Sequence, residues 1–95
     1  MFKNAEIVVS GTWLYGNSIR SRVRIIKWHI IYGSGDYEDP VDIRNDREVD
    51  CYYIQFESLA QKESYNGYNG VALTISDAII EAEKLAGQKI AWDKK

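Results

Sequence analysis

The chain has 95 residues, which is enough for a single hydrophobic core, and we predict one domain spanning residues 1–95. Apolar residues make up 45% of the sequence and charged residues 27%, values near the globular average that argue against a wholly disordered chain. The formal net charge is −2, whereas a protein that binds nucleic acid through its phosphates is expected to be basic.

The cysteine content and the N-terminal residues indicate the cellular compartment in which we expect the protein. Cys51 is the only cysteine, so the chain cannot form an internal disulfide and shows no sign of an oxidising compartment. Residues 1–4 lead into a β-rich run, and no apolar stretch is long enough for a signal segment or a membrane span. We therefore expect a cytoplasmic protein that does not associate with membranes.

The first two strands are predicted to form a hairpin. Residues 5–10 are a short β-rich run that continues less regularly through residues 13–15, and Gly11 inside it indicates a bulge or a bend. Residues 16–18, Gly-Asn-Ser, are a turn signal between this run and the next.

The second run, residues 20–32, changes phase along its length. Val23 and Ile25 alternate with arginines at period two. The apolar residues that follow are shifted by one position: Ile26, Trp28, Ile30 and Tyr32. A β-bulge near Ile25 and Ile26 would restore one buried face. The outward side would then be polar throughout, with Arg20, Arg22, Arg24, Lys27 and His29. The alternative is a strand buried on both faces.

The third strand is predicted over residues 48–57, after an acidic loop that contains the only proline. Alternation places two sets of side chains on opposite faces of this strand. We assign Tyr52, Ile54 and Phe56 to the core. The other set, Cys51, Tyr53 and Gln55, is assigned to the outside. Residues 59–70 are a polar connection with two Asn-Gly pairs, and residues 71–73 are a short fourth strand.

The one predicted helix follows Thr74, a suitable N-cap, with Asp77 three residues later as the acidic half of a capping box. Its apolar residues recur at helical spacing: Ile75, Ala78, Ile79, Ala82, Leu85 and Ala86. Gly87 is a typical left-handed stop, and residues 89–92 have the length of a brief final strand. The predicted fold class is α+β: an antiparallel sheet of four to five strands in β-β-β-β-α-β order, with one helix packed across one face.

Two stretches carry a resemblance to a known kind of protein. Residues 35–40, Gly-Asp-Tyr-Glu-Asp-Pro, precede a tyrosine-rich strand, and the C-terminal part runs from Thr-Ile-Ser-Asp-Ala at 74–78 to Trp92. In these features the chain resembles uncharacterised small α+β proteins carried on integron gene cassettes. The resemblance implies the fold, but it implies no activity because such proteins share none.

Enzyme motifs are absent from the sequence: it contains no Gly-rich phosphate loop, CxxC, HExxH or GxSxG, so we expect no cofactor. His29 and Cys51 would face each other if paired residue numbers in the central hairpin summed to 80, and a Cys–His pair is the minimum for an activated thiolate. No oxyanion donor accompanies them, so we predict no catalytic residue. The acidic residues of the loop before the third strand are Asp36, Glu38, Asp39, Asp42 and Asp46. Their spacing fits no EF-hand pattern, so we also predict no metal site.

The distribution of charge and aromatic residues suggests a binding role. Residues 1–34 carry a net charge of +4 and residues 35–63 a net charge of −6, so basic and acidic strands can face each other. A helix of about 18 Å cannot cover a sheet of four or five strands, and we expect one face to stay open. The residues proposed to bind there are Arg22, Arg24, Lys27, His29 and Tyr53.

We therefore expect a non-catalytic interaction protein that binds a protein partner or forms a homodimer through the open sheet face. The alternative is a small-molecule-binding protein or minor enzyme, with a pocket between the sheet and the loop of residues 59–70. Binding of single-stranded nucleic acid along the arginines is not expected, because the total charge is negative.

Overall fold

The structure, a computed structural model, describes residues 2–16, 18–33, 38, 45–61, 64–65 and 67–93. These residues form strands β1 (Glu6–Tyr15), β2 (Ile19–Ile31), β3 (Arg47–Phe56), β4 (Gly70–Ala72) and β5 (Ala91–Trp92), and helix α1 (Ile75–Ala86). The strands make one antiparallel sheet in the order β4-β3-β2-β1-β5. The predicted α+β class and the β-β-β-β-α-β order are confirmed.

The predicted β1–β2 hairpin is confirmed, but its irregularity lies elsewhere than expected. The register shifts between Ile7 and Val9, so the bulge is at Val8, whereas Gly11 pairs regularly with Val23. Gly11 has a different role. A Cβ there would lie 2.6 Å from Cγ2 of Ile90 and 2.9 Å from Cε3 of Trp92. A glycine therefore lets the end of the chain pack directly on β1.

Strand β2 lies between β1 and β3 and is buried on both faces. Its register with β3 runs without a shift from Val23 to Trp28, and the irregularity comes only between Trp28 and Ile30. The register with β1 does shift opposite Ile25 and Ile26, but the extra residue is Val8 of β1. The predicted bulge in β2 is therefore wrong, and the alternative of burial on both faces is correct. The phase change in the sequence marks two apolar sets on opposite faces of one regular strand.

The helix begins and ends as the sequence predicts. The Thr74 hydroxyl accepts a hydrogen bond from the backbone N–H of Asp77 at 3.1 Å, which satisfies one of the free donors of the first turn. Gly87 ends the helix with φ of 71°, and its N–H donates to the carbonyls of Glu83 and Lys84. None of the helices in the described residues is long and apolar enough to cross a membrane.

The helix side of the sheet carries the larger core. Ala78 and Ala82 are fully buried, and their small side chains let α1 lie close to the sheet. The buried members of this cluster are Val23, Ile25, Ile54, Ala78, Ala82 and Ile90. Burying an isoleucine such as Ile25 or Ile54 contributes about 1.5–3 kcal/mol relative to leaving it exposed. Tyr52 and Phe56 pack against this cluster, so their predicted inward set is correct.

The far side of the sheet, opposite the helix, has a second core that we did not expect. Its buried members are Ile26, Cys51 and Tyr53. The side chains packed against them come from the N-terminal residues and from the end of β2: Phe2, Ala5, Trp28, Ile31 and Tyr32. The assignment of Cys51, Tyr53 and Gln55 to an outward set is therefore wrong, because all three are buried.

Candidate functional site

The five predicted binding residues do not form one surface. Alternation along β2 puts Arg22 and Arg24 on the far side with Ile26, whose partner in β3 is Tyr53. Lys27 follows Ile25 by two positions and belongs to the helix side. The expectation that one stripe joins all the basic residues of β2 is wrong, because no bulge shifts their phase.

Tyr53 holds the far-side core together and cannot present its ring to a partner, since only 1% of the residue is exposed. Its hydroxyl donates to the carbonyl of Ile30 at 3.0 Å and accepts from the N–H of Tyr32 at 3.0 Å. Burial raises the pKa of this phenol. The rings of Phe2 and Tyr68 lie 4.7 Å and 4.6 Å from it, centroid to centroid, so part of the face we expected to be open is covered.

Arg22 forms an ion pair with Asp93. Its Nη2 lies 2.6 Å from Oδ2 of Asp93, and its Nη1 donates to the hydroxyl of Thr12 at 2.7 Å. The hydrogen bond raises the pKa of the guanidinium and lowers the pKa of the Asp93 carboxyl. These contacts attach the end of the chain to the far side of β1 and β2.

Lys27 and His29 are exposed, and they line a shallow cavity of about 240 Å³ near the start of β1. Its lining also contains the carboxylates of Glu6 and Asp50, so both signs of charge are present. The His29 ring lies 4.5 Å from the Trp28 ring, centroid to centroid. The cavity therefore offers no single charge by which a ligand class could be assigned.

Cys51 and His29 do not face each other. Paired residue numbers sum to 79 from Val23 to Trp28, not to 80, and Cys51 lies opposite Trp28. The thiol donates to the carbonyls of Ile30 at 3.3 Å and Trp28 at 3.6 Å. Burial raises its pKa, the opposite of the shift that activates a nucleophilic cysteine. Cys51 therefore fills space in the far-side core.

Of the five acidic residues weighed for a metal site in the acidic loop, only Glu38 and Asp46 are among the described residues. Asp36, Asp39 and Asp42 lie outside the described residues, and Asp46 accepts a hydrogen bond from the N–H of Gly33 at 2.7 Å. Within the part of the chain that the structure describes, no three metal-ligating side chains come together.

The helix side contains a groove where the sequence placed the alternative pocket, between the sheet and the loop after β3. Its volume is about 300 Å³. The lining, which defines the Trp13 groove, is Trp13, Tyr15, Phe56, Glu57, Leu59, Asn69 and Leu85. Trp13 and Tyr15 come from β1, Leu85 comes from the last turn of α1, and the others come from the end of β3 and the residues after it. Helix α1 packs mainly on β4 and β3, so the end of β1 at Trp13 and Tyr15 lies beside its last turn rather than under it.

One wall of the Trp13 groove is a fixed aromatic surface. The Trp13 and Phe56 rings meet edge to face with centroids 5.3 Å apart, and Trp13 meets Tyr15 in the same way at 5.9 Å. Ser21 is the partner of Trp13 in the β1–β2 register and so lies on the same side. Trp13 Nε1 and Ser21 Oγ are both buried and have no hydrogen-bond partner among the described residues. Buried donors without a partner are rare, which makes this pair of side chains unusual.

The polar groups of the Trp13 groove lie along its β3 end. Glu57 accepts a hydrogen bond from the backbone N–H of Arg22 at 3.2 Å, and Asn69 Oδ1 lies 3.4 Å from the N–H of Phe56. The described lining thus combines one carboxylate and one amide with apolar side chains, and it includes no basic residue. Such a site can orient a ligand, and its described side chains include no pair of nucleophile and base.

Comparisons with protein-family models, with curated proteins and with solved structures find no match to this chain. The resemblance to integron-cassette proteins therefore stays a prediction.

Proposed function

We propose that this protein is a non-catalytic binding protein whose Trp13 groove holds a small, largely apolar ligand that carries an amine or another N–H donor. The observation that supports the proposal is an aromatic-walled groove of about 300 Å³ with one carboxylate at its end. This volume is at the lower end of the range for ligand sites, and an apolar lining with few polar groups is typical of them.

The charge of the lining favours one ligand class. Glu57 is its charged member, and no basic side chain of the described lining would compensate an anion. Cations are also attracted to the faces of aromatic rings, which Trp13, Tyr15 and Phe56 supply. An aromatic or aliphatic amine therefore fits the Trp13 groove better than a carboxylic acid of the same size.

The proposal can be tested by titrating ¹⁵N-labelled protein with benzylamine. We expect a saturable shift of the indole N–H signal of Trp13, whereas the indole signals of Trp28 and Trp92 stay in place. Leu85→Asn should weaken binding about fivefold or more, because it removes part of the apolar lining. Ile80→Asn is the matched control, since Ile80 is on the same helix and is 61% exposed. No shift at Trp13, or equal affinity in both variants, would contradict the proposal.

A second candidate occupant of the same groove is another copy of the chain. Large apolar side chains at and beside the groove are about half exposed: Tyr15, Ile19, Leu59 and Leu85. Such a rim suits a protein contact, and a two-fold pair is the commonest assembly. For the homodimer predicted from the sequence, we therefore propose an interface on the helix side, because Tyr53 on the far side is buried.

Sedimentation distinguishes the two occupants. A dimer at the Trp13 groove would dissociate in Leu85→Asn but not in Ile80→Asn, and benzylamine would compete with it. A parent protein that stays monomeric up to about 100 μM excludes even a weak dimer. In that case the groove would be left to the small ligand.

A further inference from the structure

A second cavity lies on the far side of the sheet, between the N-terminal residues and the segment after β3. Its volume is about 430 Å³, and it shares no lining residue with the Trp13 groove. The lining is Phe2, Lys3, Arg24, Gln55, Tyr65 and Gly67. Among these described side chains two are cations and none is an acid, the reverse of the described lining of the Trp13 groove.

Arg24 is held in one orientation by its neighbours. Its Nε donates to Oε1 of Gln55 at 2.8 Å, and its guanidinium carbon lies 3.9 Å from the centre of the Tyr65 ring. Gln55 is itself fixed, because it is 4% exposed and its Nε2 donates to the carbonyl of Gly67 at 2.7 Å. The plane of the guanidinium is therefore set before any ligand arrives, which reduces the entropy lost on binding.

The two terminal nitrogens are the part of the Arg24 guanidinium that is available to a ligand. Among the described residues, the two terminal nitrogens of Arg24 have no hydrogen-bond acceptor and no carboxylate within ion-pair distance. Arg22, two positions earlier on the same face, shows the contrast, since its terminal nitrogens are taken up by Asp93 and Thr12. Two parallel N–H groups on a planar fork match the two oxygens of a carboxylate or a phosphate.

We propose that Arg24 and Lys3 form an anion-binding site for a small carboxylate or phosphate monoester with a flat apolar body. The acid group pairs with the terminal nitrogens of Arg24, and the apolar body lies against the ring of Phe2. Lys3 is exposed and adds a second positive charge, which favours a doubly charged phosphate over a singly charged carboxylate. This site is independent of the Trp13 groove.

The test is a titration with benzoate and phenyl phosphate, which present the two acid groups on the same ring. We expect either anion to give a saturable shift of the Arg24 Nε–H and Gly67 amide signals, whereas benzylamine leaves them in place. Arg24→Gln should weaken binding about tenfold or more, because it removes the fork and the charge. Arg20→Gln is the matched control, an exposed arginine of the same strand, and should bind like the parent. Lys3→Gln assigns the ligand: a larger loss for phenyl phosphate indicates a phosphate ester, and an equal loss indicates a carboxylate.

Arg24→Lys covers the case in which Arg24→Gln disturbs the fold. This variant keeps the charge over Tyr65 but loses the paired N–H groups, so we expect affinity between those of the parent and Arg24→Gln. The proposal is overturned if neither anion gives a saturable shift up to about 20 mM. It is also overturned if Arg24→Lys binds as tightly as the parent, or if benzylamine moves the same signals.

Discussion

The two sides of the sheet are covered in different ways. On the helix side one continuous element, α1, places Ala78 and Ala82 against Ile54 and its neighbours. On the far side the cover consists of separate aromatic side chains from distant parts of the chain, among them Phe2 and Tyr68 around Tyr53. A helix supplies its own backbone hydrogen bonds and caps, whereas single rings depend on one another, so the far-side cover should open locally at lower cost.

The largest expected effect is a break of the helix-side cover by Ala82→Asp. Ala82 is fully buried, so the variant would place an unpaired carboxylate against the sheet and lower the free energy of unfolding by about 4 kcal/mol or more. The control is Ile80→Asp on the exposed face of the same helix, for which we expect about 0.5 kcal/mol or less. Urea unfolding measures both. Similar midpoints for the two variants would mean that α1 does not cover this side.

Phe2→Ala should remove the far-side cover with a smaller loss. Phe2 is half-buried and its ring meets those of Trp28, Tyr32, Tyr53 and Tyr68 at centroid distances of 4.7–6.3 Å. We expect the free energy of unfolding to fall by about 2 kcal/mol, below the value for a fully buried phenylalanine. Lys3→Ala next to it should be near neutral. If Phe2→Ala matched the parent in urea unfolding, the N-terminal residues would not contribute to the far-side core.

Whether the sequence predicts a feature of the fold depends on how far apart in the chain the interacting residues lie. Thr74, Asp77 and Gly87 define the helix through contacts within a few residues, and their sequence signals were enough. Phe2 covers Tyr53 across about fifty residues, and no local pattern shows such a contact. One signal was present but misread, since the shift from Val23 and Ile25 to Ile26 and Trp28 indicated burial on both faces.

The candidate sites follow the same division. The place of the Trp13 groove could be predicted, because a short helix leaves part of the sheet uncovered and the loop after β3 lies nearby. Its lining could not be predicted, because the meeting of Trp13, Phe56 and Leu85 depends on strand order and on where α1 packs. Arg24 was among the predicted binding residues, but the sequence did not separate it from Arg22, whose partner Asp93 is 71 residues away.

Thr74→Ala tests whether the two sides of the sheet open independently, because it weakens the helix without changing its buried face. The variant loses the hydrogen bond from the Asp77 N–H to the Thr74 hydroxyl, and we expect a loss of about 1 kcal/mol. Thr74→Ser keeps the acceptor and should recover most of this loss. Hydrogen exchange should speed up in the first turn of α1 while the amides of β3 beside Cys51 and Tyr53 exchange as in the parent. Equal acceleration on both sides would mean that the two covers open together.

The smallest expected effect is an alkaline loss of stability that originates on the far side. Burial raises the pKa values of Cys51 and Tyr53 in the folded protein, so both groups hold their protons more tightly there than in the unfolded chain. Both contributions are fully present at neutral pH. That of Cys51 is lost as pH rises from about 8.5, the ordinary thiol pKa, and that of Tyr53 only above about 10, the ordinary phenol pKa. Melting temperatures at pH 7 and pH 10 measure this loss.

Cys51→Ala provides the control for this pH effect. The variant cannot ionise at residue 51, so its decrease in melting temperature between the two pH values should be smaller than that of the parent. Native Cys51 should also react slowly with iodoacetamide at neutral pH and rapidly in urea. An identical pH dependence in the variant, or rapid alkylation of the native thiol, would contradict the buried position of Cys51.

The central claim is that the uncovered end of the helix side is a binding groove while the core of the far side is covered. Intermolecular nuclear Overhauser effects between benzylamine and the labelled protein test it most directly. We expect contacts from the ligand ring to Trp13, Phe56 and Leu85, and none to Tyr53. Contacts to Tyr53 and Phe2 without contacts to Trp13, or the absence of any ligand contact at saturating benzylamine, would contradict it.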